Sequence, residues 1–400
     1  MKTPFIPHNL PIKDLDLSKL IKLVSEANSN LSRYNGALSH LINPSLLLAT
    51  FATKEAVLSS RIEGTQASLV DVLQKDSKKH DENKKLDIEE IENCKKALEY
   101  GAEDLKNRPL CLNLIKDMHS ILLNGVRGHN KDRGNFRKIQ NFIGFMGATM
   151  EQASYIPPSP DKMTIALDNW EKYIHLESEE ILIQLAIIHA QFEIIHPFLD
   201  GNGRIGRILI PLFLYAKKYL DFPAFYMSEY LESCRSEYYA RLKNISENND
   251  WQGWIEFFLR AIIEQAKISK NRVDRVLELY KNTQRLVSDI TNSDYALQLV
   301  DLLFKKPILN SSYVAEKLIR KKSIEQYQKN KIIIQEQNHN FVFKDIDLDI
   351  KNISHADKST AIRLLNYLVE KNILKKHEGQ GSKPSSYEFI ELLNIVENRA

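Results

Sequence analysis

Cysteine is scarce in this chain: Cys94, Cys111 and Cys234 are the only three among 400 residues, and they stand far apart with no CxxC pair. That spacing excludes a zinc ribbon and argues against a disulfide framework, so a reducing, cytoplasmic setting is expected. Glycine and proline are also few, at 14 and 13, which leaves little material for a loop-rich fold. Neither charge sign dominates. The 55 basic and 52 acidic residues give a net charge of +3, too small by itself to point to a nucleic-acid or membrane partner. No apolar run approaches the ~18 residues needed to cross a bilayer, and Met1 to Pro7 lacks the apolar stretch of a signal peptide.

What the chain does have is Leu, Ile, Lys, Glu and Ala at helical spacing, so a mainly α fold is predicted. Its length suggests two or three domains. Residues 1–12 are interrupted by proline and read as extended. Periodic apolar segments run from Leu15 to about Leu73, broken at Asn43-Pro44 and at Gly64. Lys75 to Lys85 reads as a charged connection. Helical patterns follow at 86–107 and 109–123, with Pro109 expected in a first turn. Residues 135–160 differ: part of Asn135 to Gly144 alternates, and a second limb ends in Tyr155-Ile156-Pro157-Pro158, which predicts a short β-hairpin. Ile181 to Ile195 is apolar almost all round and predicts a central buried helix. Another helix continues beyond Arg207, with Pro211 expected to kink it or shorten its start. A long polar helix leads away from Val273. Helices at 296–304, 313–318 and 359–371, then strands near 372–376 and 387–390, give the winged-helix order, with an inserted hairpin at 331–343. The domains expected are 1–105, 106–270, a linker helix at 271–290, and 291–400.

The chemistry concentrates in His196-Pro197-Phe198-Leu199-Asp200-Gly201-Asn202-Gly203-Arg204-Ile205-Gly206-Arg207. His196 follows an apolar helix and precedes a proline, which favours a loop in which an imidazole can act as a base. A lone histidine there would more often be a core residue, and its neighbours decide otherwise. Asp200 is a hard oxygen ligand suited to one corner of Mg²⁺. Gly201, Asn202 and Gly203 can turn successive N–H groups onto one concave face at a helix N-terminus, an anion site. Arg204 and Arg207 are neighbours on the first turn. Cations there oppose the helix dipole and call for a bound anion or a nearby carboxylate.

Position for position, this span resembles the HPFx(D/E)GNGRxxR signature of the Fic family, whose enzymes transfer AMP from ATP to protein hydroxyls. Residues 135–160 resemble the family's flap, which clamps a target segment by strand addition. Ser59, Glu63 and Gly64 match the Ser/Thr-x-x-x-Glu-Gly/Asn pattern of the family's inhibitory helix, here at about 54–64. The resemblance covers residues 5–270 well and the rest loosely. It implies a Fic-type helical bundle, with His196 deprotonating a Tyr, Thr or Ser hydroxyl and Asp200 holding Mg²⁺. Gly201 to Arg207, with Ile205 and Gly206 among them, would bind ATP. Arg207 would hold the γ-phosphate or, when the enzyme is shut off, Glu63. Self-modification, a reverse removal of AMP and a homodimer belong to the same expectation. The chain departs from the family at Cys234, where many relatives have Asn, so the adenine side is less defined. Tyr238 there reads equally as a base-stacking or a core tyrosine.

Two alternatives stay open. One is a DNA-binding regulator built on the winged helix, although 17 basic against 14 acidic residues over 291–400 is a weak footprint. The other is a Fic enzyme that transfers a different group, such as UMP.

Overall fold

The computed structural model describes residues 3–40, 44–128, 130–145, 147–177, 180–290, 293, 295–319, 356–379, 381 and 383–399. The inserted hairpin expected at 331–343 lies outside them. No helix among the described residues is long and apolar enough to cross a membrane. The chain forms two compact units, one comprising residues 1–42, 51–72 and 81–273, the other 43–50, 73–80 and 274–400.

The first unit is built around the helix predicted from the apolar run, α7 (Ile181–Ile195). Every residue from Leu182 to Ile195 is buried except Glu193. Helices α1 (Leu17–Ser39), α6 (Pro160–His175), α8 (Asn202–Ala216) and α10 (Arg235–Asn248) pack against it. Full burial of each Leu or Ile contributes roughly 1.5–3 kcal/mol, so this face is the main source of stability. Two amides on α7 donate to carbonyls of other segments: Gln184 to that of Tyr173 at 2.7 Å and Gln191 to that of His8 at 2.7 Å. Helices α4 (Glu82–Asp104) and α5 (Leu112–Leu122) form a second layer. α5 begins three residues later than Pro109 suggested, where Glu171 accepts the Leu112 N–H at 2.7 Å. α8 runs through Pro211 without interruption, so the expected shortening does not occur.

Helix α2 (Pro44–Ile62) carries the Ser59–Glu63 segment. Within this unit its flank is pinned by charge: Lys54 meets Glu229 at 2.6 Å, and Arg272 joins the same carboxylate at 2.8 Å. Glu55 is buried and accepts from the Ser228 hydroxyl at 2.6 Å. Gly64, at φ +103°, lets the chain reverse directly after Glu63. Short helices α3 (Leu69–Leu73) and α9 (Ser228–Ser233) complete the connections, and α11 (Trp251–Ile290) is one 40-residue helix that begins well before Val273, where the long helix was expected to lead away.

The predicted hairpin is reduced to two limbs joined by a single antiparallel bridge, Ile143 to Tyr155, with a 3₁₀ turn at Met150–Gln152 between them. The reason lies in the second limb. Pro157 and Pro158 have no N–H to continue a ladder, and Gln140 reaches the Pro157 carbonyl with its side chain instead, at 2.8 Å.

In the second unit, α12 (Ala296–Lys305), β1 (Ile308–Asn310), α13 (Ser311–Lys317), α14 (Lys358–Glu370), β2 (Lys375–His377), β3 (Ser386–Glu388) and α15 (Ile390–Glu397) follow in order. The strands form an antiparallel sheet in the order β1-β3-β2, with Tyr387 between Leu309 and Lys376. Asn310 caps α13 and Asp357 caps α14 by accepting backbone N–H groups at 2.9 and 2.7 Å. Strand β1 and helix α15 were not anticipated from the sequence.

Burial raises the Glu55 carboxyl from about 4.5 to about 7, against the lowering effect of Ser228 and Arg207. The folded state therefore holds this proton more tightly than the unfolded chain. Its contribution is present below about pH 4.5 and lost as pH rises to about 7, an effect of up to about 3 kcal/mol. We expect the melting temperature to decline across this range and Glu55→Gln to flatten part of that decline. An unchanged slope in thermal melts would contradict the assignment.

Candidate active site

The end of α7 aims the first site residue. His196 adopts a left-handed conformation, φ 49°, while its N–H still closes the helix on Phe192 at 3.0 Å. Its Nδ1–H donates to the Glu193 carbonyl at 3.3 Å, leaving Nε2 as the acceptor. Burial pulls the ring down to about 4, partly opposed by the Glu193 carbonyl and the Glu63 charge. At neutral pH it is an uncharged base.

The turn after it is held from four sides. The Asn202 side chain both accepts from the Phe198 N–H and donates to the Phe198 carbonyl, each at 2.8 Å. Asn141 reaches that carbonyl as well, at 3.1 Å. The buried Arg137 donates from Nε to the His196 carbonyl at 2.9 Å and from Nη2 to the Pro158 carbonyl at 2.5 Å, joining the turn to the flap. His119 stacks on Phe198 at 3.7 Å. Its Nδ1 accepts the Gly134 N–H at 3.0 Å, so Nε2–H donates to the Asp200 carbonyl, also at 3.0 Å. Gly201, at φ +79°, then opens α8. Asn202, expected in the anion nest, thus spends its side chain on bracing, and its contribution to an anion falls to the backbone.

Both arginines are buried and answered by carboxylates. Arg204 lies 3.4 Å from Asp200 and 3.8 Å from Glu90. Arg207 donates from Nε to the Ser59 hydroxyl at 2.9 Å, and from Nη2 to the Ser59 carbonyl at 2.9 Å and to Glu63 Oε1 at 2.6 Å. Desolvation raises Glu63, but Arg207, Arg204 and His196 outweigh it and hold the carboxyl below its usual range. The carboxylate also lies against the glycine turn: a Cβ at Gly203 would come 2.3 Å from Glu63 Oε1.

A cleft of about 610 Å³ opens over this arrangement. Glu63, His196, Gly203 and Arg207 line it, together with the flap residues Phe142, Ile143 and Tyr155 and the α10 residues Tyr239 and Lys243. Asp200, Gly201, Asn202 and Arg204 are not among the lining residues. Ile205, placed with the ATP-binding set by resemblance, is fully buried in the core. Asp200 lies beside Gly128, whose Cβ position is 2.7 Å from its Oδ2. The Asp200 side chain is 41% exposed and has one long contact to Arg204. No group of three or more ligating side chains occurs among the described residues. A single accessible carboxylate fits Mg²⁺ carried mainly by phosphate and water, and does not fit a protein cage.

On the side where the adenine was expected, Tyr238 is 1% exposed overall and its hydroxyl meets His189 Nε2 at 3.0 Å, yet it lines the cleft beside Tyr239, which is 42% exposed. The Cys234 thiol turns back to the Tyr230 carbonyl at 3.1 Å. Three residues escaped the sequence reading. His119 and Arg137 carry no pattern that marks them. Glu193 does: it stands four residues after His189 and three before His196, as the lone carboxylate of α7.

Two family models match the chain, one described as Fic/DOC family N-terminal over residues 21–103 and one described as Fic/DOC family over residues 109–214. The protein adenylyltransferase Fic of Drosophila virilis is 26% identical over 271 residues, 63% of this chain and 48% of that relative. Its namesake in Drosophila sechellia is 30% identical over 134 residues, 33% of this chain and 23% of the relative. The chain thus spans less than half the length of either. A crystal structure of a Fic family protein from Desulfovibrio desulfuricans matches with a TM-score of 0.52 at 17% identity, covering 97% of this chain and 98% of that one, which shows a shared fold.

NMR titration should find the His196 ring neutral down to about pH 5, with a midpoint near 4. A midpoint at the ordinary 6.5 would mean that the ring is not enclosed as described.

Proposed function

Because residues 21–103 and 109–214 match the Fic/DOC family models, we propose that the chain is a protein adenylyltransferase that its own Glu63 holds inactive. The observation that carries this reading is the shared guanidinium. Arg207, at the mouth of the glycine turn, is engaged by Glu63 and Ser59 in the cleft that also holds a neutral His196. In the active state the glycine-turn N–H groups and Arg207 bind the ATP phosphates in place of the Glu63 carboxylate. His196 Nε2 takes the proton from a target hydroxyl. The hydroxyl oxygen forms a bond to the α-phosphorus while the bond to pyrophosphate breaks. The residues supply position and charge, as phosphoryl-type transfers require. Asp200 would hold Mg²⁺, which when bound neutralises phosphate charge. Arg137 and Asn202 keep the base and the turn in register, and the exposed Phe145 and Ile139 of the flap offer apolar contact to a target segment.

The second unit supports a reading of its own. Its element order is that of a winged helix, and a lysine-rich turn packs on its hairpin. Lys383 donates to the Lys75 carbonyl at 3.3 Å, and Lys78 and Lys376 face one recess, where Lys376 is paired with Glu378 at 2.8 Å. The recess therefore adds little net charge, and what supports duplex DNA as a partner is the element order. Fluorescence anisotropy with the full chain should show salt-sensitive binding that is weakened by Lys78→Glu with Lys376→Glu. No binding at low salt would end this reading.

For the enzyme, Glu63→Gly is expected to raise self-labelling from radiolabelled ATP at least tenfold. Adding His196→Ala should reduce labelling by roughly 10²–10⁴. Equal labelling of wild type and Glu63→Gly would sink the inhibitory role. Intact mass of the product, with each nucleoside triphosphate offered in turn, would distinguish AMP from UMP transfer.

A further inference from the structure

Helix α7 is apolar almost throughout, yet His189, Glu193 and His196 fall on one face of it. Two of the three are satisfied. His189 meets the Gly206 carbonyl at 3.1 Å and the Tyr238 hydroxyl at 3.0 Å, and His196 donates to the Glu193 carbonyl. Glu193 is not. Its Oε1 is buried without a hydrogen-bond partner, although the side chain lines the same cleft as His196, Gly203 and Arg207. The fold makes room for this oxygen: a Cβ at Gly206 would come 2.2 Å from it.

An unpaired carboxylate in such a place is expensive, while a neutral carboxyl is far less so. The charged and titratable groups around it are Arg207 from α8, Glu63 at the end of α2, Tyr238, Tyr239 and Lys243 from α10, Tyr155 from the flap, His189 on its own helix and His196 at that helix's cap. Burial raises the Glu193 carboxyl to about 7, with Arg207 opposing and Glu63 adding to the rise. Arg207 commits its Nε and Nη2 to Ser59 and Glu63.

We infer that Glu193 is a ligand-contacting residue, a protonated carboxyl that donates a hydrogen bond to a phosphate oxygen of the nucleotide held beside Arg207. This rests on the adenylyltransferase reading only in requiring a nucleotide polyphosphate in the cleft. An ionised Glu193 would repel that anion, whereas the acid form gives it a donor and satisfies the orphaned oxygen together. Binding therefore draws a proton onto Glu193. When Glu63 is absent the unbound carboxyl loses one neighbour that favours its proton, so uptake on binding grows.

The test is calorimetry of Mg²⁺ and ATP binding to the full chain carrying Glu63→Gly, at pH 7.5 in two buffers of different ionisation enthalpy. Glu63→Gly is compared with the same protein carrying Glu193→Gln or Glu193→Ala. Protonation of ATP itself is common to all three. We expect net proton uptake in Glu63→Gly that disappears with Glu193→Gln. The Kd should change less than about threefold for Gln and rise about tenfold for Ala. Above neutrality the Kd of the Glu193 protein should climb by up to about tenfold per pH unit relative to the Gln variant. Uptake that persists in Glu193→Gln, or a Kd that is flat from pH 7 to 9 with Glu193 present, overturns the inference and leaves the enzymatic reading standing. If Glu63→Gly binds no nucleotide at all, both fall.

Discussion

A guanidinium cannot shed its proton under biological conditions, so burying Arg207 obliges the fold to surround it with acceptors. The last turns of α2 supply most of them. Ser59 gives a hydroxyl and a carbonyl, and Glu63 gives the carboxylate. This single requirement joins the Ser59–Glu63 segment to α8 and the glycine turn, since Glu63 reaches Arg207 by lying against Gly203. A phosphate and a carboxylate ask the same thing of a guanidinium fork. Exchanging one for the other would keep the charge of Arg207 answered, as the proposed release of Glu63 requires.

Around that pair the site is rigid, and its rigidity comes from backbone carbonyls. Those of His196, Phe198 and Asp200 are taken by Arg137, by Asn202 with Asn141, and by His119. Asn202 belongs to the turn, but Arg137 and Asn141 come from the 135–160 segment and His119 from α5, so tertiary packing fixes the turn as much as its own residues do. A base and an anion site held in this way need little reorganisation at the moment of reaction.

Much of this was legible in the sequence, for identifiable reasons. The apolar run at 181–195 could only be a buried helix, and the motif after it placed a base, a carboxylate and two arginines within twelve residues. The partnership of Glu63 with Arg207 came from resemblance; nothing in the spacing of two residues 144 apart declares it. The flap was overdrawn because alternation in its first limb outweighed the prolines of the second. Ile205 and Tyr238 illustrate a different limit. Motif membership and aromatic character do not reveal which face of a helix a residue occupies: the Ile205 side chain is in the core, and Tyr238 is buried while lining the cleft. His119 and Arg137 work through carbonyls, and a carbonyl has no signature in the sequence. Glu193 was the avoidable omission, since a carboxylate inside an apolar helix is anomalous on hydropathy alone.

The backbone of His196 carries one more consequence. A non-glycine residue in the left-handed region costs roughly 1–2 kcal/mol, and here that cost falls on the one residue whose ring cannot be exchanged. Substitution by glycine would relax the turn while deleting the base. Selection for robustness and selection for chemistry therefore pull in opposite directions at this position.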